Sequence, residues 1–241
     1  MELFTNWHSW PQAEAGLREL LPAQVVATVG RAVAFAASQH GDQRRPTGAP
    51  YAEHLLEALE VLARGAGVTD PDLLCAAVLH DVVEDTACTV AQVEAAFGAR
   101  VAELVAWVTI PPPAAGQDKA AAKEAYLRGL RRAPRDAILV KLADRASNVQ
   151  TLRNLAPARQ RAYYAQTIEH IVPLADAEPW FRYWYASWRS EFADLATPGP
   201  GRSGGSSGSP GAPAGSAGAA GARWPIRDTS SQANRPTGYT K

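Results

Sequence analysis

The stretch VLHDVVEDT, residues 78–86, places His80, Asp81, Glu84 and Asp85 inside an otherwise apolar run. Ionisable groups enter such a run only when something compensates their desolvation. On a continuous helix turning about 100° per residue, with His80 at zero, Asp81 lies near ~100°, Glu84 near ~40° and Asp85 near ~140°. Val78, Leu79, Val82 and Val83 take the remaining arc. One helix thus buries an aliphatic face and presents an imidazole and three carboxylates on the other. A solvated acidic face accounts for Asp and Glu so placed; the imidazole among them adds metal binding as an option.

Three further positions bear on that choice. His54 lies in YAEHLLEAL, on the preceding helical segment. Asp144 lies in ILVKLADRASN and follows Ile138, Leu139, Val140 and Leu142, so it is costly to bury unpaired. Asp144, Asn148 and Thr151 are spaced four and three apart, which aligns them on one helix face. His54, His80, Asp81 and Asp144 together supply two nitrogens and two carboxylates, a credible set for Mn²⁺, Fe²⁺ or Zn²⁺. Without thiolates the set is not a structural zinc finger. Four protein ligands leave room on a six-coordinate ion for water and a substrate oxygen, which suits Mn²⁺ better than Zn²⁺. The ion's double charge would neutralise carboxylates that the apolar run cannot.

The elements that carry these residues read as helices. QVVATVGRAVAFAASQH (24–40) has apolar residues at helical spacing, and GDQRRPTGAP (41–50) is a turn. YAEHLLEALEVLARG (51–65) is amphipathic and ends at Gly65, a suitable C′ residue. TDPDLLCAAVLHDVVED (69–85) opens with a Thr or Asp cap and Pro71 in its first turn. Helices are also expected over 89–98, 99–109, 119–133, 136–155, 158–175 and 179–195, with a loop at 111–118. No alternating strand and no internal repeat stands out. The expected organisation is an N-terminal extension (1–23), an all-α domain (24–196) and a tail (197–241). That tail is rich in Gly, Ser, Pro and Ala, has little to bury, and is expected to be disordered. Trp224 and Tyr239 could serve as a short docking motif; an inert tail is the simpler reading.

The chain has 241 residues with 24 basic and 24 acidic side chains, so its formal net charge is zero. Nothing global therefore drives it toward DNA, RNA or anionic lipid. Two cysteines make no disulfide framework, and Cys75 reads as a small core residue. The N-terminus lacks the pattern of a secretory signal, and no window approaches ~18 uninterrupted apolar residues. The expectation is a soluble cytoplasmic protein without a membrane partner; oligomeric state is not legible.

The order H…HD…D resembles the HD phosphohydrolase superfamily, an all-helical metal-dependent fold. The resemblance is closer to the RelA/SpoT family. QRRPTGAPYAEH (43–54), AAVLHDVVEDT (76–86), FGARVAELVAWVT (97–109) and VKLADRASNVQTL (140–152) resemble its hydrolase blocks in order. Those enzymes remove the 3′-pyrophosphate of the alarmone (p)ppGpp. No synthetase, TGS or ACT region follows, so the chain is similar to the small hydrolase-only members.

The resemblance implies an HD-domain helical bundle, a guanine nucleotide substrate and Mn²⁺ as cofactor. It makes His54, His80, Asp81 and Asp144 the metal ligands, and Glu84 and Asp85 the catalytic pair beside the water and the scissile phosphate. Asn148 and Thr151 correspond to contacts with the sugar and phosphate region, and Arg45 to an Arg packed on guanine, where guanidinium stacking is apt. Two positions depart from the family: Pro46 stands where Lys is usual, and Leu55 where Pro is usual. Arg44 is the candidate to replace the missing charge. RGLRRAPR (128–135) could face the pyrophosphate, although a solvated helix end is the simpler reading. The alternatives to alarmone hydrolysis are the same chemistry on another nucleotide, such as an NADPH 2′-phosphatase, or a non-catalytic nucleotide-binding module. Deleting residues 197–241 is predicted to leave the melting temperature unchanged, as calorimetry can check; a fall of many degrees would show that the tail packs on the domain.

Overall fold

A computed structural model describes residues 1–45 and 48–196. The tail expected over 197–241, with its Trp224 and Tyr239, and the departure at Pro46 lie outside the described residues. Within them the chain is helical, with no strand beyond one isolated bridge between Arg44 and Pro50. The helices are α1 (Trp10–Leu20), α2 (Ala23–His40), α3 (Tyr51–Glu60), α4 (Pro71–Leu79), α5 (Val82–Asp85) and α6 (Val90–Phe97). They continue with α7 (Ala99–Val108), α8 (Lys119–Gly129), α9 (Arg135–Val149), α10 (Pro157–Gln166) and α11 (Pro179–Glu191). No helix among the described residues is long and apolar enough to cross a membrane.

Local chemistry explains the starts. The Asp70 side chain caps α4 by accepting from the backbone N–H groups of Asp72 and Leu73, with Pro71 at the first position. Thr89 and Gln92 form a reciprocal capping box on α6, and Asp118 caps α8. Core positions follow the apolar spacing: α4 buries every residue from Leu73 to Leu79, Cys75 included. This helix, apolar from Leu73 to its end, lies in the middle of the bundle, against α2, α3, α7 and α9.

Three sequence expectations change in the structure. The helix expected over 69–85 is broken, ending at Leu79 and resuming at Val82, with Asp81 at φ −102° and ψ −5°. The His80 imidazole bonds the Ala77 carbonyl three residues back, 2.7 Å away, at the point where the chain leaves the helix. The helix expected over 136–155 stops at Val149, so Thr151 stands outside the register of Asp144 and Asn148. Gly65 closes a π-helical turn (Val61–Gly65) rather than serving as a left-handed C′ residue. A Cβ at Gly65 would meet Trp180 at 2.5 Å and Phe4 at 2.9 Å, so close approach is what requires glycine.

Residues 1–23, expected to be an extension, pack into the same core. Phe4, Trp7, Ala13 and Leu17 are buried. Gln150, just past α9, accepts from the Phe4 N–H (2.8 Å) and donates to the Phe4 carbonyl (3.0 Å), as a neighbouring strand would. Helix α9 is held from its other side by α11. There the Tyr185 hydroxyl donates to the Leu142 carbonyl (2.8 Å), and the Trp188 indole donates to that of Val149 (3.1 Å). Replacing Gln150 by Leu strands two buried backbone groups of Phe4 and should cost about 2–5 kcal/mol, read from urea unfolding with an unchanged m-value. A loss below 1 kcal/mol would show that the N-terminal strap contributes little.

Candidate metal centre and the adjoining cavity

Helices α3, α4, α5 and α9 meet where the break after Leu79 turns two side chains inward. His54 from α3, His80 and Asp81 from the break, and Asp144 from α9 converge there. His54 Nε2 lies 3.1 Å from His80 Nε2, 3.4 Å from Asp81 Oδ2 and 3.4 Å from Asp144 Oδ1. His80 Nε2 lies 3.0 Å from Asp81 Oδ2 and 3.6 Å from Asp144 Oδ1. Donors about 2.1 Å from a shared ion, at angles of 90–110°, are themselves about 3.0–3.4 Å apart. His54, His80 and Asp81 thus come to metal-binding separations of one another, and Asp144 approaches both imidazoles.

The hydrogen bonds show why a cation belongs there. His80 Nδ1 donates to the Ala77 carbonyl, which leaves Nε2 with its lone pair. His54 Nδ1 lies 2.8 Å from Ser147 Oγ, and that hydroxyl donates to Glu57, so His54 Nδ1 is the donor and its Nε2 is also a lone pair. Two lone pairs then face each other across 3.1 Å, flanked by two carboxylates. Only a proton or a metal ion satisfies that geometry. In the protein alone the proton serves: burial opposes charging His80, but Asp81 and Asp144 outweigh it and raise the imidazole well above its ordinary range. Burial likewise opposes ionisation of Asp81 and Asp144. His80 prevails at Asp81, and Lys141 with the two imidazoles at Asp144, so both carboxyls lie well below their ordinary range. The donors of His54, His80 and Asp81 fit a divalent ion.

Glu84 and Asp85 part company. Asp85 stays beside the ligand set through Tyr51, whose hydroxyl contacts both Asp81 and Asp85, the latter at 2.8 Å. One phenolic hydrogen serves one carboxylate at a time. Burial and the Asp81 charge push Asp85 up to about 6, so it can supply the second proton. Glu84, expected on the face of His80 by its spacing, follows the break on α5 and keeps the charges of Lys141, Asp81 and Asp85 nearby. It accepts from the Ile110 N–H (2.9 Å), and burial pushes it up to about 7 despite Lys141 nearby.

The three residues expected to bind substrate meet in one cavity of about 200 Å³. Arg45, Asn148 and Thr151 line it together with Glu57, Arg159 and Tyr163. It borders the metal set directly, since the Asn148 amide donates to Asp144 Oδ1 at 2.6 Å. Arg45 is not free, because its Nη1 bonds both Glu57 oxygens at 3.0 and 3.1 Å. Arg44 is exposed and bonds the Gly48 carbonyl instead of the cavity. The basic run 128–135 leaves its four arginines exposed, and Arg135 pairs with Glu178.

The cations nearest the site are others. Lys141 is buried, 2.7 Å from Asp144 Oδ2 and 5.8 Å from the centre of the Tyr126 ring. Arg145 lies one turn on, bonded to Gln166, with its buried Nη1 unpartnered. Lys123, one turn before Tyr126 on α8, has no ion pair with a described residue; burial and the charges of Arg145 and Lys141 lower its pKa. Sequence reading missed Tyr51, Glu57, Lys123, Lys141, Arg145 and Ser147. Most carried a usable signal: Tyr51 and Glu57 lie three residues either side of His54, and Lys141 and Ser147 three either side of Asp144.

A profile of the HD domain family matches residues 32–180. The bifunctional (p)ppGpp synthase/hydrolase SpoT of Escherichia coli K12 is 35% identical over 162 residues, covering 66% of this chain and 23% of that protein. The guanosine-3′,5′-bis(diphosphate) 3′-pyrophosphohydrolase MESH1 of Mus musculus is 42% identical over 129 residues, covering 51% of this chain and 68% of that protein. A solved structure described as a metazoan ortholog of SpoT that hydrolyses ppGpp and plays a role in starvation responses is also similar. It matches with a TM-score of 0.62 and 28% identity, over 68% of this chain and 95% of that one. The chain thus spans less than a quarter of the length of the bacterial relative.

A divalent ion at 100 times its dissociation constant should stabilise chelator-stripped protein by about 2.7 kcal/mol, seen as a raised melting temperature. Asp144→Asn should abolish the rise. Equal melting temperatures with and without chelator and ion would refute the site.

Proposed function

Because the chain belongs to the HD domain family, we propose that it hydrolyses (p)ppGpp to GDP or GTP and pyrophosphate, using Mn²⁺. The observation that carries the reading is the convergence of His54, His80, Asp81 and Asp144 beside the cavity of Arg45, Asn148 and Thr151. The names of the relatives support the substrate, and a nitrogen and oxygen donor set without thiolates supports Mn²⁺.

An ion held by the four ligands would polarise a phosphoryl oxygen and acidify water. The reaction adds water at the phosphorus nearest the ribose and breaks the bond to the 3′ oxygen, which leaves with a proton. Glu84 accepts the water's proton. Its carboxyl, pushed up to about 7, is matched to that task near neutral pH. Asp85, held against Tyr51 and pushed up to about 6, is the nearby source of the proton the 3′ oxygen needs. Lys123, Lys141 and Arg145 supply the positive charge that the transferred pyrophosphoryl group requires. Arg45, Asn148 and Thr151 hold the nucleoside side.

A second reading, phosphate removal from a nucleotide such as NADPH, is favoured by one observation. The Arg45 guanidinium is committed to Glu57 and is less available to stack on a base.

Two measurements test the proposal. Supplied with ppGpp and Mn²⁺, the protein should release pyrophosphate and no orthophosphate. Orthophosphate from NADPH supports the second reading, and binding without turnover reduces the protein to a nucleotide-binding module. Asp81→Asn should lose metal and activity together, whereas Glu84→Gln should keep metal and substrate while kcat falls by about 10²-fold or more. Should Glu84→Gln lose its metal by elemental analysis, Glu84 is a ligand and not the base.

A further inference from the structure

One hydrogen-bonded chain crosses from the cavity wall to the metal set. Arg45 Nη1 donates to both oxygens of Glu57. Glu57 Oε2 accepts from the hydroxyl of Ser147. Ser147 Oγ accepts from Nδ1 of His54 at 2.8 Å, and His54 Nε2 faces Asp81, Asp144 and His80. Two helices supply the middle of the chain. His54 and Glu57 stand three apart on α3, and Ser147 stands three after Asp144 on α9. His54, Glu57 and Ser147 are all buried, so water does not compete for their bonds.

We propose that Glu57 and Ser147 are positioning residues that tie the cavity to the metal centre: Glu57 anchors Arg45 in the wall and, through Ser147, fixes the Nδ1–H tautomer of His54. The proposal goes beyond the assigned reaction and rests on that reading only in treating the cavity as the nucleotide site. The physical argument is one of direction. Both Glu57 oxygens accept from Arg45 Nη1, and Oε2 also accepts from the Ser147 hydroxyl. Ser147 must therefore donate to it, which leaves the Ser147 oxygen as an acceptor for His54. The imidazole then keeps its proton on Nδ1 and offers Nε2 to a cation. Ligating histidines are commonly oriented by such a partner, and its loss costs about 10–100-fold in metal affinity.

The branching makes a pattern that general damage would not. Binding of Mn²⁺ and of GDP to the full chain is measured for Ser147→Ala, Glu57→Gln and Arg45→Met. Ser147→Ala should weaken Mn²⁺ about 10-fold or more and leave GDP affinity within twofold. Glu57→Gln should weaken both. Arg45→Met should weaken GDP. The ring ¹⁵N shifts of His54 give a direct reading. Nδ1 should be the protonated nitrogen in the parent protein, and the two tautomers should mix in Ser147→Ala. Unchanged tautomer and Mn²⁺ affinity in Ser147→Ala overturn the proposal. Hydrolysis of ppGpp is scored separately. Turnover with a failed pattern removes the relay alone, while the pattern without turnover removes the assigned reaction alone.

Discussion

Two imidazole lone pairs pointed at each other across 3.1 Å, between two carboxylates, are what the rest of this structure has to support. Such a cluster holds together only around positive charge, and it holds its shape only if each group is fixed from behind. Each of the four side chains has such a partner: the Ala77 carbonyl for His80, Ser147 for His54, Tyr51 for Asp81, and Lys141 with Asn148 for Asp144. These partners are as much part of the cluster as the side chains they hold, because they decide which lone pairs are left to point inward.

The helical frame follows from that demand. Helix α4 is apolar from Leu73 to its end, so it fits only in the middle of the bundle, and its end delivers His80 and Asp81 to the interior. Helix α9 carries charge on one side and is gripped on the other, by hydrogen bonds from Tyr185 and Trp188 of α11. Gln150 extends that grip to the first residues of the chain through Phe4. The aromatic richness of α11 and the inclusion of residues 1–23 in the core thus serve the same helix.

Much of this was legible in the sequence because helical spacing and residue chemistry are local. The all-α frame followed from apolar periodicity, and His54, His80, Asp81 and Asp144 stood out as ionisable groups placed where they are costly. What could not be read was the break after Leu79. Neither Gly nor Pro marks it, and the competing bond from the His80 side chain exists only once the chain has turned. A continuous wheel therefore put Glu84 near His80, whereas the fold sends it to Ile110. The N-terminal boundary failed for a related reason. A strap held by a distant glutamine and a neighbouring tryptophan leaves no periodic signature of its own. Arg45 was found, but its pairing with Glu57 joins residues twelve apart across a turn and is a product of tertiary packing.

Charge is distributed so that one residue divides the site. On one side of Asp144 lie His54, His80 and Asp81, a set that calls for a cation. On the other lie Lys141, the unpartnered Nη1 of Arg145, and Lys123, which has no ion pair with a described residue. Asp144 uses one oxygen on each side, Oδ1 toward the imidazoles and Oδ2 toward Lys141. A chain with no net charge is therefore strongly polarised at its centre. The acidic half attracts a cation, while Lys123, Lys141 and Arg145 attract an anion. A bound cation would weaken the need for a proton on His80, and a bound anion would offset the burial and neighbouring cations that depress Lys123, so each would relieve a cost left by folding.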